Sequence, residues 1–286
     1  MILITGATGH IGSVVLEQLL RKLSAHQLAA LVRDEIKAAH LQAQGITIRV
    51  GDYRDPASLE RAMQGISTVL LVSGGGDEDG LQQHYNVVDA AKKAGVRCLA
   101  YTSRALQNPA PLTNQLMVRH FQTEDYIRAS GLSYLLFRNI LYMDTLPQFV
   151  GPQVFEKGIQ LPAGQGRVAF ALRRDMGEAI ANVLADDSCQ NRIFTFTGAA
   201  TYSFTDVAQA LSELSGRPVE YTPIEEQEFM SRLRAQGLPA VAVERITGFL
   251  TDIKNDQEST VTTELADWLG RPPTPLREGI KEIFKV

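Results

Sequence analysis

Three glycines, Gly6, Gly9 and Gly12, recur at a spacing of three in ITGATGHIG, residues 4–12. Glycine bends backbone sharply and lets another group approach it closely. Between an apolar run and a helical pattern, each has a use. Gly6 permits a tight turn, Gly9 lets an anion reach the main chain, and Gly12 lets helix and sheet pack closely. The first amides of the helix and the positive end of its dipole suit phosphate groups. The chemistry predicted here is pyrophosphate binding. The spacing is G-x-x-G-x-x-G rather than G-x-G-x-x-G, and a tight strand–helix turn with no ligand would use the same residues.

Further along, LAALVRD places Arg33 as the first polar residue after a strand-like run. A dinucleotide bearing a free ribose 2′-hydroxyl is met by an acidic residue at this position, whereas the planar fork of Arg suits a 2′-phosphate. Arg33 therefore favours NADP. Asp34 follows at once and keeps NAD open, and an exposed Arg at a strand end is the plain alternative. Asp52, in VGDYRDP, stands where it would meet an adenine amino group or stabilise a turn. SGGGDEDG, residues 73–80, is either a ligand-approach loop or a surface loop.

These residues sit at the ends of strands in a regular alternation. Apolar runs at residues 1–5, 27–33, 46–50, 67–73, 96–103 and 132–138 alternate with helical patterns. Ile11, Val15, Leu19 and Leu23 form one stripe of the first helix. Asp55, Pro56 and Gly65 supply a cap, a first-turn proline and a stop for the helix between them. Further helices are expected over residues 81–95 and 114–131. Short apolar strands at βαβ spacing predict an α/β fold, a doubly wound parallel sheet of Rossmann type. After Asn139 the rhythm changes, with Pro147, Pro152 and Pro162 in a stretch lacking a clear βα unit. A helix capped by Asp175 and a strand at 192–198 return to the main sheet. The remainder is mostly helical, with a short strand near 219–221. The expected division is a dinucleotide-binding domain over 1–144, rejoined by 173–198. A smaller substrate domain takes in 145–172 and 199–286.

Bulk composition bounds the function. The 286 residues are 44% apolar and carry a net charge of −4, with no Lys/Arg cluster, which disfavours nucleic acid. No apolar run approaches the roughly 20 residues that span a bilayer, and the first residues do not resemble a signal peptide. A cytoplasmic protein is expected. Cys98 and Cys189 are too few for a disulfide framework, and Cys98, in an apolar run, reads as a buried free thiol. The five histidines show no metal-ligand spacing, so no metal is expected.

TGATGHIG, LVRD, GDYRDPASL, AGVRCLAYTS, HFQTE, LLFRNILY and AGQGR followed by RRD together resemble the NmrA-like group of atypical short-chain dehydrogenase/reductases. Within that group the chain is similar to bacterial type 2 NAD(P)H:quinone oxidoreductases and triphenylmethane reductases. The resemblance covers nearly the whole chain and weakens beyond Thr201. It implies cofactor contacts at Gly6, Ala7, Thr8, Gly9, His10, Ile11, Arg33, Ser73, Gly74, Gly75, Asn139 and Tyr142. Asn139 and Tyr142 would lie near the nicotinamide, and Arg173 at the pocket edge.

Extended members of the wider superfamily carry Tyr-x-x-x-Lys on the helix after the fifth strand. Here HFQTE puts His120 and Glu124 at those places, and Tyr126 is followed by Ser130 rather than Lys. Reactions needing that acid lose a contribution of roughly 10²–10⁴ in rate. His120 and Glu124 share one helix face, as a proton relay or as a plain surface pair. Hydride transfer to a quinone or a cationic dye survives without the acid, since proximity supplies most of the acceleration. The expected function is an NAD(P)H-dependent reductase of a flat, electron-poor acceptor, with His120, Asn139 and Tyr142 as catalytic candidates. Tyr142, Phe149 and Phe155 are candidates to line the acceptor pocket. The alternative is an NADP(H)-binding sensor without turnover. A monomer or homodimer with a small-molecule partner fits either.

Overall fold

A computed structural model describes residues 1–74, 79–108, 114–186 and 188–286. The first half follows the expected alternation: β1 (Ile2–Ile4), α1 (His10–Leu20), β2 (Leu28–Val32), α2 (Ala39–Ala43), β3 (Thr47–Val50), α3 (Pro56–Ala62), β4 (Thr68–Leu71), α4 (Gly80–Lys93), β5 (Cys98–Arg104), α5 (Gln115–Ser130) and β6 (Ser133–Asn139). It continues through α6 (Leu146–Val150), α7 (Val154–Lys157), β7 (Ile159–Leu161), α8 (Arg173–Ala185), β8 (Arg192–Phe196), α9 (Phe204–Ser215) and β9 (Tyr221–Pro223). The last helices are α10 (Glu226–Ala235), α11 (Ala240–Lys254), α12 (Glu264–Leu269) and α13 (Leu276–Phe284).

Among the described residues the main sheet has seven strands in the order β3-β2-β1-β4-β5-β6-β8. The pairs β1–β2, β1–β4, β2–β3 and β4–β5 are parallel. The order turns about β1, which lies between β2 and β4. This is the doubly wound arrangement, and its switch point is where such sheets bind ligands. β2 and β4 are buried at every residue, as strands covered on both faces must be. One core holds Leu3, Val69, Leu71, Leu99 and Tyr101 of alternating strand positions against Leu59 and Ala62 of α3 and Val87, Val88 and Ala91 of α4. The helix start and stop signals hold: Asp55 caps α3, its Oδ1 accepting from Ser58 N at 3.2 Å, and Gly65 ends the turn after α3 at φ +74°. α1 packs on α8 so closely that a Cβ at Gly177 would lie 2.5 Å from Val14 Cγ1.

The residues cluster into two compact units. The first is Met1–Arg104, Arg119–Arg138 and Arg173–Thr195. The second is Ala105–Val118, Asn139–Leu172 and Phe196–Val286. In the second unit, β7 and β9 form a separate parallel pair, Ile159 opposite Tyr221 and Leu161 opposite Pro223. β7 falls in the stretch that reads as lacking a βα unit. The strand expected near 219–221 begins at Tyr221, and Val219 is a buried core residue before it. β8 does rejoin the main sheet, beside β6.

Two expectations are corrected. Cys98 is not a free thiol: it is bonded to Cys189, with their Cα atoms 6.0 Å apart. Cys98 opens β5 and Cys189 lies between α8 and β8, so the sheet brings together residues 91 positions apart. Asp175 is not the cap of α8. It lies inside the first turn, fully buried, because the helix begins at Arg173. No helix among the described residues is long and apolar enough to cross a membrane.

Candidate functional site

The glycine turn is built as its spacing requires. β1 ends at Ile4, and Gly6 turns the chain at φ +57°, a conformation open to glycine. A Cβ there would press on Val72 Cβ at 3.2 Å. Gly9 N–H donates back to Gly6 O at 2.9 Å and closes the turn. Gly9 is the N-cap of α1, with no side-chain cap and no acidic residue in the first turn. The first amides of α1 therefore keep their donors for another acceptor. A Cβ at Gly12 would collide with the Gly6 carbonyl, so the third glycine sets the close packing of turn on helix.

A cleft of about 610 Å³ opens over this turn, entirely within the first unit. Gly6, Thr8, Gly9, His10 and Ile11 form one side. Leu31, Val32 and Arg33 come from the end of β2, Gly51, Asp52 and Tyr53 from beyond β3, and Val72, Ser73 and Gly74 from beyond β4. Gln83 of α4 and Arg173 of α8 complete it. β1, β2, β3 and β4 all contribute at their carboxyl ends, on both sides of the switch point. Ala7 is buried and does not line the cleft. Gly75 lies outside the described residues, as do the next three positions of the glycine-rich loop.

Arg33 is exposed and makes no hydrogen bond or ion pair to another described residue. Asp34, the residue that kept NAD open, accepts from Ile36 N at 2.9 Å and so caps a local turn. Asp52 does double service, lining the cleft while its Oδ1 accepts from Arg54 N at 2.8 Å. Tyr53, which the sequence gave no reason to choose, forms part of the wall. Its hydroxyl bonds Thr5 Oγ1 and donates to Val72 O at 3.0 Å. Burial pushes this phenol well above its ordinary pKa.

His120 and Glu124 are both buried and do not form the surface pair that their spacing allows. His120 Nδ1 lies 2.8 Å from the Tyr101 hydroxyl. Burial, with His84 and Arg104 nearby, holds His120 well below its ordinary pKa, so the ring is neutral. Glu124 accepts from Ser103 Oγ at 2.6 Å, from Arg138 at 2.9 and 2.6 Å and from Arg128 at 2.8 Å. Its carboxylate is committed to an ion cluster. The relay face is thus split between two sets of partners.

Asn139 and Tyr142 belong to the second unit and meet there, Asn139 Nδ2 donating to the Tyr142 hydroxyl at 3.3 Å. Asn139 is fully buried, and its Oδ1 has no hydrogen-bond partner among the described residues. The same unit holds a cavity of about 800 Å³ between the α6–α7 segment, β7, α10 and α11. Phe149 lines it, whereas Phe155 lies under the Arg217 guanidinium at 4.8 Å.

Comparison with known proteins bears on the family and the fold. A model of the NmrA-like family matches residues 1–266. Quinone oxidoreductase 2 of Escherichia coli is 34% identical over 287 residues, covering 100% of this chain and 99% of that protein. The NAD(P)H azoreductase of Xenophilus azovorans is 28% identical and covers 98% and 97% of the two chains. Among solved structures, the Escherichia coli NADPH-dependent quinone oxidoreductase complexed with NADPH superposes with a TM-score of 0.92 at 33% identity, over 99% of this chain and 100% of that one. The Citrobacter sp. triphenylmethane reductase complexed with NADP(H) gives 0.91 at 34% identity, over the same shares. With a family match over most of its length and full-length relatives above 30% identity, this chain belongs to the NmrA-like family.

Proposed function

We propose that the protein is an NADPH-dependent reductase that passes hydride to a flat, electron-poor acceptor of the quinone or cationic-dye class. The observation that carries this reading is the cleft: a glycine turn and uncapped helix start on one side, and an unpartnered guanidinium at the end of β2 on the other. The residues fit a dinucleotide. The cradle at Gly9 and Gly12 is one that a Cβ would crowd. The reduced dinucleotide supplies a hydride when bound.

The chain's own residues then have stated tasks. The α1 amides and dipole hold the pyrophosphate. Arg33 takes the 2′-phosphate through paired N–H donors. Tyr53 and Val72 wall the nucleoside side. No residue need donate a proton during transfer. His120 is neutral and bonded to Tyr101, and Glu124 is held by two arginines. The likeness to named quinone, azo and triphenylmethane reductases supports the acceptor class.

The test is NADPH oxidation, followed by absorbance, across a panel of benzoquinones, naphthoquinones, azo dyes and triphenylmethane dyes. Turnover with at least one class, and none with simple ketones, is expected. An NADPH complex that no acceptor oxidises would favour a regulatory sensor instead.

A further inference from the structure

β4 ends at Leu71, and the next three residues, Val72, Ser73 and Gly74, form one wall of the cleft. Their N–H groups are taken by side chains rather than by a neighbouring strand. Val72 donates to Thr5 Oγ1 at 2.9 Å, Ser73 to Thr102 Oγ1 at 2.8 Å and Gly74 to His84 Nε2 at 3.2 Å. Thr5 follows β1, Thr102 belongs to β5 and His84 to α4. Three separate elements thus hold three successive residues.

The two hydroxyls can accept in any rotamer, but an imidazole accepts only at its unprotonated nitrogen. His84 Nδ1 lies 2.9 Å from Thr123 Oγ1, and that hydroxyl donates to Arg119 O at 2.8 Å. The Thr123 proton is therefore committed, and Nδ1–H is the donor of the pair. This leaves the Nε2 lone pair to Gly74. The ring is buried and stands edge-on to Tyr101, with centroids 5.4 Å apart. The groups facing it are Tyr101 of β5 and Arg119, His120 and Thr123 of α5. Burial and the Arg119 charge hold its pKa down to about 4, which agrees with a neutral ring.

We propose that His84 is a positioning residue: its Nε2 lone pair pins Gly74 and so rigidifies the wall that receives the nucleotide. His84 itself does not line the cleft. Gly74 has no side chain to hold it, so this bond is its restraint. The proposal rests on the reading of the cleft as a nucleotide site.

The experiment compares the whole protein with His84→Phe and His84→Gln. Gln places an amide oxygen near the position of Nε2, and Phe places no acceptor there. In ligand-free protein, amide exchange at residues 72–74 is expected to accelerate about tenfold in His84→Phe and to return near wild type in His84→Gln. NADPH dissociation constants should follow, about tenfold weaker with Phe and within about threefold with Gln, the scale of one net hydrogen bond. Unchanged affinity in His84→Phe overturns the proposal. So does a Gln variant as impaired as Phe, or exchange raised evenly across the sheet, since either shows a packing role alone. If the wild type binds no NADPH, the nucleotide reading fails, and the exchange measurement still decides whether His84 pins the wall.

Discussion

Arg33 stands at the rim of the cleft with its donors uncommitted, while Asp34 beside it is turned into a local cap. A charged hydrogen bond of this kind is worth roughly 1.5–3 kcal/mol. Arg33→Ala is therefore expected to weaken NADPH about ten- to a hundredfold and to leave NADH nearly unchanged, as read from dissociation constants for both. Equal losses would show that Arg33 does not read the 2′-phosphate. At this scale the sequence was informative where a residue type is rare in its setting, as with three spaced glycines or a guanidinium ending an apolar strand. It was silent on Tyr53, Gln83 and His84. Their roles depend on which neighbour lies across the cleft, and a lone Tyr or His has many uses. Burial likewise separates His120 from Glu124, because their partners Tyr101, Ser103 and Arg138 come from neighbouring strands.

The strand–turn–helix of β1 and α1 assigns different duties to its glycines. Gly9 has φ −87°, which any residue adopts, and a Cβ there would sit 3.1 Å from Gly6 O. Gly12 has no room at all. Gly9→Val should leave the protein folded yet lower NADPH affinity more than tenfold by crowding the phosphate path. Gly12→Ala should destabilise the fold by about 1–3 kcal/mol, the usual cost of overpacking. Thermal unfolding alongside NADPH titration separates the two, and equal melting temperatures for both variants would refute the division. Elements with a clear period and caps, such as α3 with Asp55, Pro56 and Gly65, are legible in the sequence. β7 and β9 are not. Each has three residues, one ends in Pro223, and each is defined only by pairing with the other across a long stretch of chain.

For the molecule as a whole, the buried histidines make stability depend on pH. His84 titrates near 4 in the folded chain against 6.5 when unfolded. Between those values the unfolded state binds the proton and the folded state does not, so stability falls as pH drops from 6.5 to 4. The shift corresponds to roughly 3 kcal/mol, and burial of His120 acts in the same direction. Denaturant unfolding at pH 7 and near pH 4.5 should show this loss in the wild type and a clearly smaller one in His84→Gln. An equal loss in both would mean that His84 is not buried neutral. The alternation of strands and helices already implies the doubly wound sheet. The return of β8 to its edge was likewise expected, whereas the Cys98–Cys189 bridge needs the three-dimensional path, because residues far apart in sequence carry no mutual signal in a single chain.

The close fit of α8 on α1, with Gly177 against Val14, has a consequence for how the protein is made. Synthesis runs from the amino terminus at ~5–20 residues per second. The ribosome therefore delivers α1 about 8–30 s before α8. Through that interval the nascent chain holds the strands of its sheet centre but not the helix that covers α1. The flank of α1 that α8 covers is then open to solvent until α8 emerges.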